Sequence, residues 1–327
     1  MQFEETIEVD PSVLEKPENE DYTSSGYDTS TKSLTSSYNE YIVENGRRYH
    51  SYYGTEKYLM PTDEKEQERL DLQHAIFRLV WNDKLHEAPL TEPHRILDIG
   101  TGTGIWAIEM AEKYPMAEVI GTDISPIQPC WVPPNCRFEI DDAMQDWTFR
   151  DNFFDFIHAR TFSSGVSDWE HLISEMKRCT VPGGYVELCE QSLVTDCDDG
   201  TMKPDHGIKV FTEHMRDAMR KMGRPWPDLA FLKNLLENAG FEGVTAAVAK
   251  EPMGPWAKDP RLKRVGSMSL LNGETAFESY GMALFTRILG MDVEKARKIC
   301  ENGLLAARNK NYHVYDPSIR VYGRKPI

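Results

Sequence analysis

The chain has no apolar stretch approaching the roughly 20 residues needed to cross a bilayer, so no membrane span is expected. Its first ten residues, Met1 to Asp10, are acidic and lack the basic-then-apolar pattern of a secretory signal. Cysteine is sparse: Cys130, Cys136, Cys179, Cys189, Cys197 and Cys300 form neither a Cys-x-x-Cys pair nor a His-paired zinc spacing, and no metal is expected. Reduced thiols in a cytoplasmic or nuclear protein are the simplest reading. Positive charge is short as well. Asp and Glu number 53 against 37 Lys and Arg, a net charge of −16, which excludes a general phosphate-backbone binder and direct nucleic-acid contact.

What is present is enough for one large domain or two modest ones, 327 residues of which 40% are hydrophobic. Residues 1–40 carry ten acidic and two basic residues, half of the net charge, within a Ser/Thr-rich run with little apolar periodicity. Such a tail cannot bury enough apolar area to offset the entropy of ordering and is expected to be disordered. Residues 41–90 read as an N-terminal strap and helix. Asp63 followed by Glu66 resembles a capping box, and Leu72, Ile76, Leu79 and Val80 recur at helical spacing up to about Leu85. Upstream, Arg47, Arg48, Tyr49, Tyr52, Tyr53 and Tyr58 form either a lid over a pocket or a strap packed on the surface.

From residue 91 onward the chain alternates short apolar strands ("RILDIG", "AEVIGTD", "CRFEI", "FFDFIHA", "YVELCE") with helices over Ile105–Tyr114 and Asp168–Thr180. Alternation with short connections predicts an α/β fold with a doubly wound parallel sheet and a ligand site at the strands' carboxyl ends. At the first of these ends stands "LDIGTGTGIW", in which Gly100, Gly102 and Gly104 alternate with threonines. A dinucleotide fingerprint would put its third glycine at position 105, which is Ile105, and a phosphate-cradling loop would carry a lysine, which is absent. Instead Asp98 precedes the glycines. A carboxylate there repels phosphate and suits an ammonium or a sulfonium.

Asp-x-Gly-x-Gly-x-Gly after a strand resembles the first motif of class I S-adenosylmethionine-dependent methyltransferases, whose fold is a Rossmann-like seven-stranded sheet. The resemblance implies S-adenosyl-L-methionine as cofactor. It also implies that Asp123, nineteen residues past Gly104, accepts hydrogen bonds from the ribose hydroxyls, and that Asp142 and Ala143 contact adenine. Thr101, Ile124 and Asp141 adjoin these positions and complete the expected cofactor set with Trp106 and His158. "VPGGYVEL" matches the element before the fifth strand. With "NGRRYH", "ERLDLQHAIFRL", "GTDISPIQPCWVPPNCRFEIDDA", "FDFIHART" and "YGRKP", the chain over residues 44–327 is similar to the fungal LaeA-like methyltransferases of secondary metabolism.

Individual residues carry two readings each. Trp106 either lines the cofactor pocket or packs beneath the sheet; Trp131 and Trp147 either cover the base or fill core. His158 is a catalytic base or a hydrogen-bonded structural histidine, and Glu190 is a substrate contact and catalytic candidate or a solvated carboxylate. Past the fifth strand, helical insertions are expected at about 200–240 and 258–310, followed by a final antiparallel strand. The second insertion, with Met268, Leu271, Phe277, Tyr280, Met282 and Phe285, reads as a cap over the substrate or as an interface for a protein partner or second subunit. The expected substrate pocket comprises Tyr52, Tyr53, Arg160, Glu190, Met268 and Phe285. Two functions follow: methyl transfer to an O, N or C nucleophile of a small molecule, or a regulatory role in a nuclear complex with marginal or protein-directed transfer.

Overall fold

The computed structural model describes residues 40–51, 54 and 57–327, so the acidic tail (except Glu40) and Tyr52 and Tyr53 lie outside the described residues. The described part opens with a hairpin of β1 (Tyr41–Glu44) and β2 (Arg47–His50). Asn45 and Gly46 between them have φ of 51° and 79°, the two consecutive positive values that a tight hairpin turn requires. This Asn-Gly signal was present in the sequence, where only an irregular strap was expected.

Arg47 anchors the hairpin to α1 (Glu64–Val80). Its guanidinium donates to both oxygens of Asp63, at 2.7 and 2.9 Å, while Asp63 caps the helix by accepting from the Glu66 N–H. The helix stops at Val80, earlier than Leu85, because Asn82 and Asp83 take left-handed φ values of 53° and 65° and turn the chain away.

The main sheet contains β3 (Arg95–Ile99), β4 (Glu118–Asp123), β5 (Cys136–Ile140), β6 (Phe154–Arg160), β7 (Thr180–Gln191), β8 (Asp196–Cys197), β9 (Glu242–Pro252) and β10 (Val314–Arg324). Its order runs β5-β4-β3-β6-β7-β10, with β9 on the far side of β10 and the two-residue β8 continuing beside it. Strands β3 to β7 are parallel, and β10 enters antiparallel between β7 and β9. Seven strands of the expected topology are therefore present, plus one short addition.

Alternate residues of these strands feed two cores, because successive side chains leave opposite faces of a sheet. Ile96, Val119 and Phe156 pack with Trp106 and Met110 of α2 (Ile105–Lys113) on one face. Leu97, Ile99 and Ile157 pack on the other with Leu172 and Met176 of α3 (Trp169–Cys179) and Leu232 and Leu236 of α5 (Leu229–Asn238).

The remaining helices build a third layer. In α4 (Gly207–Lys221), Phe211 meets Phe277 of α6 (Pro260–Ala283) at 4.9 Å between ring centroids and Phe285 at 5.5 Å. A π-type turn over Leu284–Ile288 leads to α7 (Val293–Arg308). Of the apolar residues of this insertion, Phe277, Met282 and Phe285 are buried, Met268 and Tyr280 are half-buried, and Leu271 is exposed. No helix among the described residues is long and apolar enough to cross a membrane.

Candidate functional site

The glycine loop after β3 is held in a conformation that only glycine adopts readily. Gly100, Gly102 and Gly104 have φ of 64°, 58° and 81°, three left-handed residues in five positions. The threonines between them fasten the loop. Thr101 Oγ1 donates to Asp98 Oδ2 at 2.6 Å, and Thr103 Oγ1 donates to Asp71 Oδ1 of α1 at 2.6 Å. At the end of β4, Asp123 accepts the Gly102 N–H on Oδ2 and the Ser125 N–H on Oδ1, each at 2.9 Å. Burial pushes the Asp123 carboxyl up to about 6 against the opposing pull of these two donors. Each of its oxygens retains a lone pair for a further donor.

These strand ends open into a cleft of about 1050 Å³. Asp98, Gly100, Thr101, Gly102, Asp123 and Ile124 line it from β3 and β4, and Asp141, Asp142 and Ala143 from the segment after β5. Thus nine residues of the expected cofactor set are brought together. From above, Lys57 and Tyr58 of the strap also line the cleft, with Lys57 ion-paired to Asp142. Arg160 lines the side wall; its guanidinium meets His74 Nδ1 at 3.0 Å and lies 5.1 Å from the centre of the Phe77 ring. Burial drives His74 down to about 2, so it is neutral and accepts from Arg160.

The donor set suits the sulfonium cofactor. Among the described residues, four carboxylates, those of Asp98, Asp123, Asp141 and Asp142, face the cleft against two cations, each already engaged by a partner. A side chain at Gly100 or Gly104 would strike the ring of Phe162 or Phe138, so the loop requires glycine at both positions.

Several expected residues are elsewhere. Trp106 does not line the cleft: it is 1% exposed, donates from Nε1 to the Leu85 carbonyl at 2.9 Å and belongs to the core under the sheet. His158 is also 1% exposed and lines neither the cleft nor its rim, because its strand position faces α2. Its Nδ1 lies 2.7 Å from Asp98 Oδ1, and burial lowers its pKa. Gly104 caps α2 with the Phe138 ring against it rather than facing the cleft. Trp147 fills core, and Trp131 is 94% exposed.

Glu190 is neither solvated nor on the rim. It is buried, and its Oε1 accepts from the N–H groups of Phe162 and Ser163 at 2.9 and 3.1 Å, tying down the loop after β6 that walls the cleft. Phe285 is fully buried against α4, and Met268 packs against α1 and β9. Neither reaches a pocket.

The face of α6 that does reach one carries Ser269, Asn272, Gly273, Phe277 and Tyr280. With α4, the ends of β7 and β9, and Asp316 of β10 it borders a second, partly open pocket of about 770 Å³. Gln73 of α1 and Thr161 after β6 line both cavities, so the two adjoin. Sequence reasoning missed Lys57, Gln73, His74 and, on this wall of α6, Ser269, Asn272 and Gly273. The available signal was polar Gln73 and His74 amid the apolar face that holds Ile76 and Phe77.

One buried group among the described residues, His158, Glu187 and Cys189, brings three metal-binding side-chain types within 4.8 Å. Glu187 there accepts the N–H groups of Glu87 and Ala88 at 2.8 Å each, a role in fastening the chain before β3.

Residues 72–246 match the family described as a methyltransferase domain. Methyltransferase pytC of Aspergillus terreus is 38% identical over 301 residues, covering 91% of this chain and 92% of that protein. Secondary metabolism regulator LAE1 of Cochliobolus heterostrophus is 35% identical over 88% of this chain and 96% of its own length. Secondary metabolism regulator laeA of Aspergillus flavus is 34% identical over 91% of this chain and 81% of its own length. With a Rossmann-like sheet, a left-handed glycine loop after its first parallel strand and these relatives along nearly its whole length, the chain belongs to the S-adenosylmethionine-dependent methyltransferases, in the family of pytC and the LaeA-type proteins.

Proposed function

We propose that the cleft beside the glycine loop holds S-adenosylmethionine, and that the adjoining pocket under α6 holds a small-molecule methyl acceptor of fungal secondary metabolism. The observation that carries this reading is that the two cavities adjoin, with Gln73 and Thr161 lining both. The cofactor supplies an electrophilic methyl group on a sulfonium.

The chain's own residues supply binding and orientation. Asp123 accepts from the ribose hydroxyls with the capacity left by its two N–H donors, and Asp142 and the Ala143 backbone take the adenine edge. The glycine loop lets backbone approach the ligand closely. Asp98, locked between Thr101 and His158, presents fixed negative charge at the strand end. Displacement demands near-linear geometry at near-attack distances, so holding the acceptor pocket rigid against the cleft contributes most of the rate. Gln73 and Thr161 stand between the two cavities, and the loop that follows Thr161 is pinned by Glu190, which helps to set this geometry.

A second reading is favoured by the relatives named as regulators: a component of a protein complex, acting in the nucleus, with protein-directed transfer. Incubation with labelled cofactor and a panel of small acceptors, alongside affinity capture from nuclear and cytoplasmic fractions, separates the two. Label transferred to small molecules supports the first; stoichiometric capture of a protein that alone takes label supports the second and removes the first.

A further inference from the structure

The second pocket has a chemical character of its own. Ile208, Phe211 and Met215 of α4, with Phe277 of α6, Trp226 and Met253, give it apolar walls. No Lys, Arg or His is among its described lining residues. Its two carboxyl groups stand at one end, on adjacent strands beside Gln191 at the end of β7: Glu251 and Asp316 are register partners across β9 and β10.

This end offers acceptors. Glu251 accepts from Ser269 Oγ at 2.8 Å on one oxygen and from Gln191 Nε2 at 2.5 Å on the other. That bond commits the Gln191 amide, leaving its Oε1 buried with no hydrogen-bond partner. Asp316 accepts from Thr195 Oγ1 at 2.6 Å, again with lone pairs to spare. A buried acceptor without a donor is costly, and a ligand that supplies the donor recovers that cost on binding.

Resting on the assignment of this pocket to the acceptor, we propose that it selects a largely apolar small molecule without negative charge that presents a hydroxyl group to the Gln191–Glu251–Asp316 end. An anionic acceptor is disfavoured because it would be desolvated beside two carboxyl groups with no cation among the described lining residues to pair with it.

Three bicyclic probes differing in one substituent test the selection on the protein saturated with S-adenosylhomocysteine: 2-naphthol, 2-methylnaphthalene and 2-naphthoate. Binding is read by calorimetry or ligand-detected NMR at neutral pH. The expected result is 2-naphthol binding about tenfold or more tightly than each of the others, because the site has an acceptor awaiting a donor and no counter-ion for an anion. Gln191→Leu should erase most of the advantage over 2-methylnaphthalene while S-adenosylhomocysteine affinity stays unchanged. Ala276→Lys, on the apolar wall, should move the preference to 2-naphthoate. Equal or tighter binding of the naphthoate or of 2-methylnaphthalene, or no binding of 2-naphthol to protein that holds S-adenosylhomocysteine, overturns the proposal. Failure to bind S-adenosylhomocysteine at all strikes the cleft assignment instead, and this inference with it.

Discussion

His158 lies flat against Trp106, with ring centroids 3.8 Å apart and planes 7° from parallel, and its Nδ1 meets Asp98 at 2.7 Å. The pair converts two candidate site residues into the support of a third. Trp106 fixes the plane of the imidazole, the imidazole fixes one oxygen of Asp98, and Thr101 of the glycine loop fixes the other. What reaches the cleft is the carboxylate alone.

Removing the foundation should cost stability before it costs chemistry. Trp106→Ala deletes a fully buried indole and is expected to destabilise the fold by about 3–5 kcal/mol. Urea unfolding followed by circular dichroism measures it. A loss below about 1 kcal/mol, the scale of a surface change, would show that the residue is not core.

Asp123 should control cofactor affinity. Asp123→Asn keeps the size of the side chain but removes a charged acceptor, which costs on the order of 1.5–3 kcal/mol, or roughly tenfold to a hundredfold in affinity for S-adenosylhomocysteine. Calorimetry at fixed salt gives the number, and the melting temperature without ligand reports any loss of the Gly102 and Ser125 bonds. Unchanged affinity would take Asp123 out of the site.

The acceptor side should be separable from the cofactor side. Phe277→Ala alters the second pocket and none of the cleft-lining residues, and is expected to lower turnover with S-adenosylhomocysteine affinity within about 1 kcal/mol of the parent. Met268→Ala, on the neighbouring face of α6, should leave turnover nearly unchanged. Equal effects of Met268→Ala and Phe277→Ala on turnover would mean that the wrong face of the helix has been assigned to the pocket.

Stability should fall with rising pH through two buried carboxyls. Glu190 and Glu251 are each raised from 4.5 to about 7, chiefly by burial. A folded-state pKa above the unfolded one means a contribution fully present below the unfolded value and lost as pH climbs through the folded value. Between about pH 4.5 and 7 both groups therefore progressively weaken the folded state as they ionise. Glu251→Gln, neutral throughout, should flatten the decline of melting temperature over this range. A steeper decline in the variant would reverse the assigned sign.

The loop at the cleft was legible because its signal is local. Left-handed backbone at alternate positions requires glycine, and so Gly100, Gly102 and Gly104 announced the geometry from their spacing alone. Asp123, Asp142 and Ala143 were assigned through the resemblance to class I methyltransferases, and the cleft brings them together at the edge that the residues just past each parallel strand share. The parallel strands and the helices on both faces follow from alternation and crossover handedness.

Which side chains face a cavity was decided only in three dimensions. Along β6, His158 and Arg160 sit two residues apart, yet one is sealed against α2 and the other walls the cleft, since the sheet is covered by different partners along its length. On α6 each step turns the side chain by about 100°, so Met268 points to α1 while Ser269 and Asn272 enter the pocket. Apolar character marked that helix as packed, but packing partners far apart in the chain chose its faces. The same holds for Glu190, where a carboxylate at a strand end looked available until the loop after β6 folded over and took its oxygen. Periodicity and spacing encode backbone and edges. Burial of a particular side chain depends on contacts that no local stretch contains.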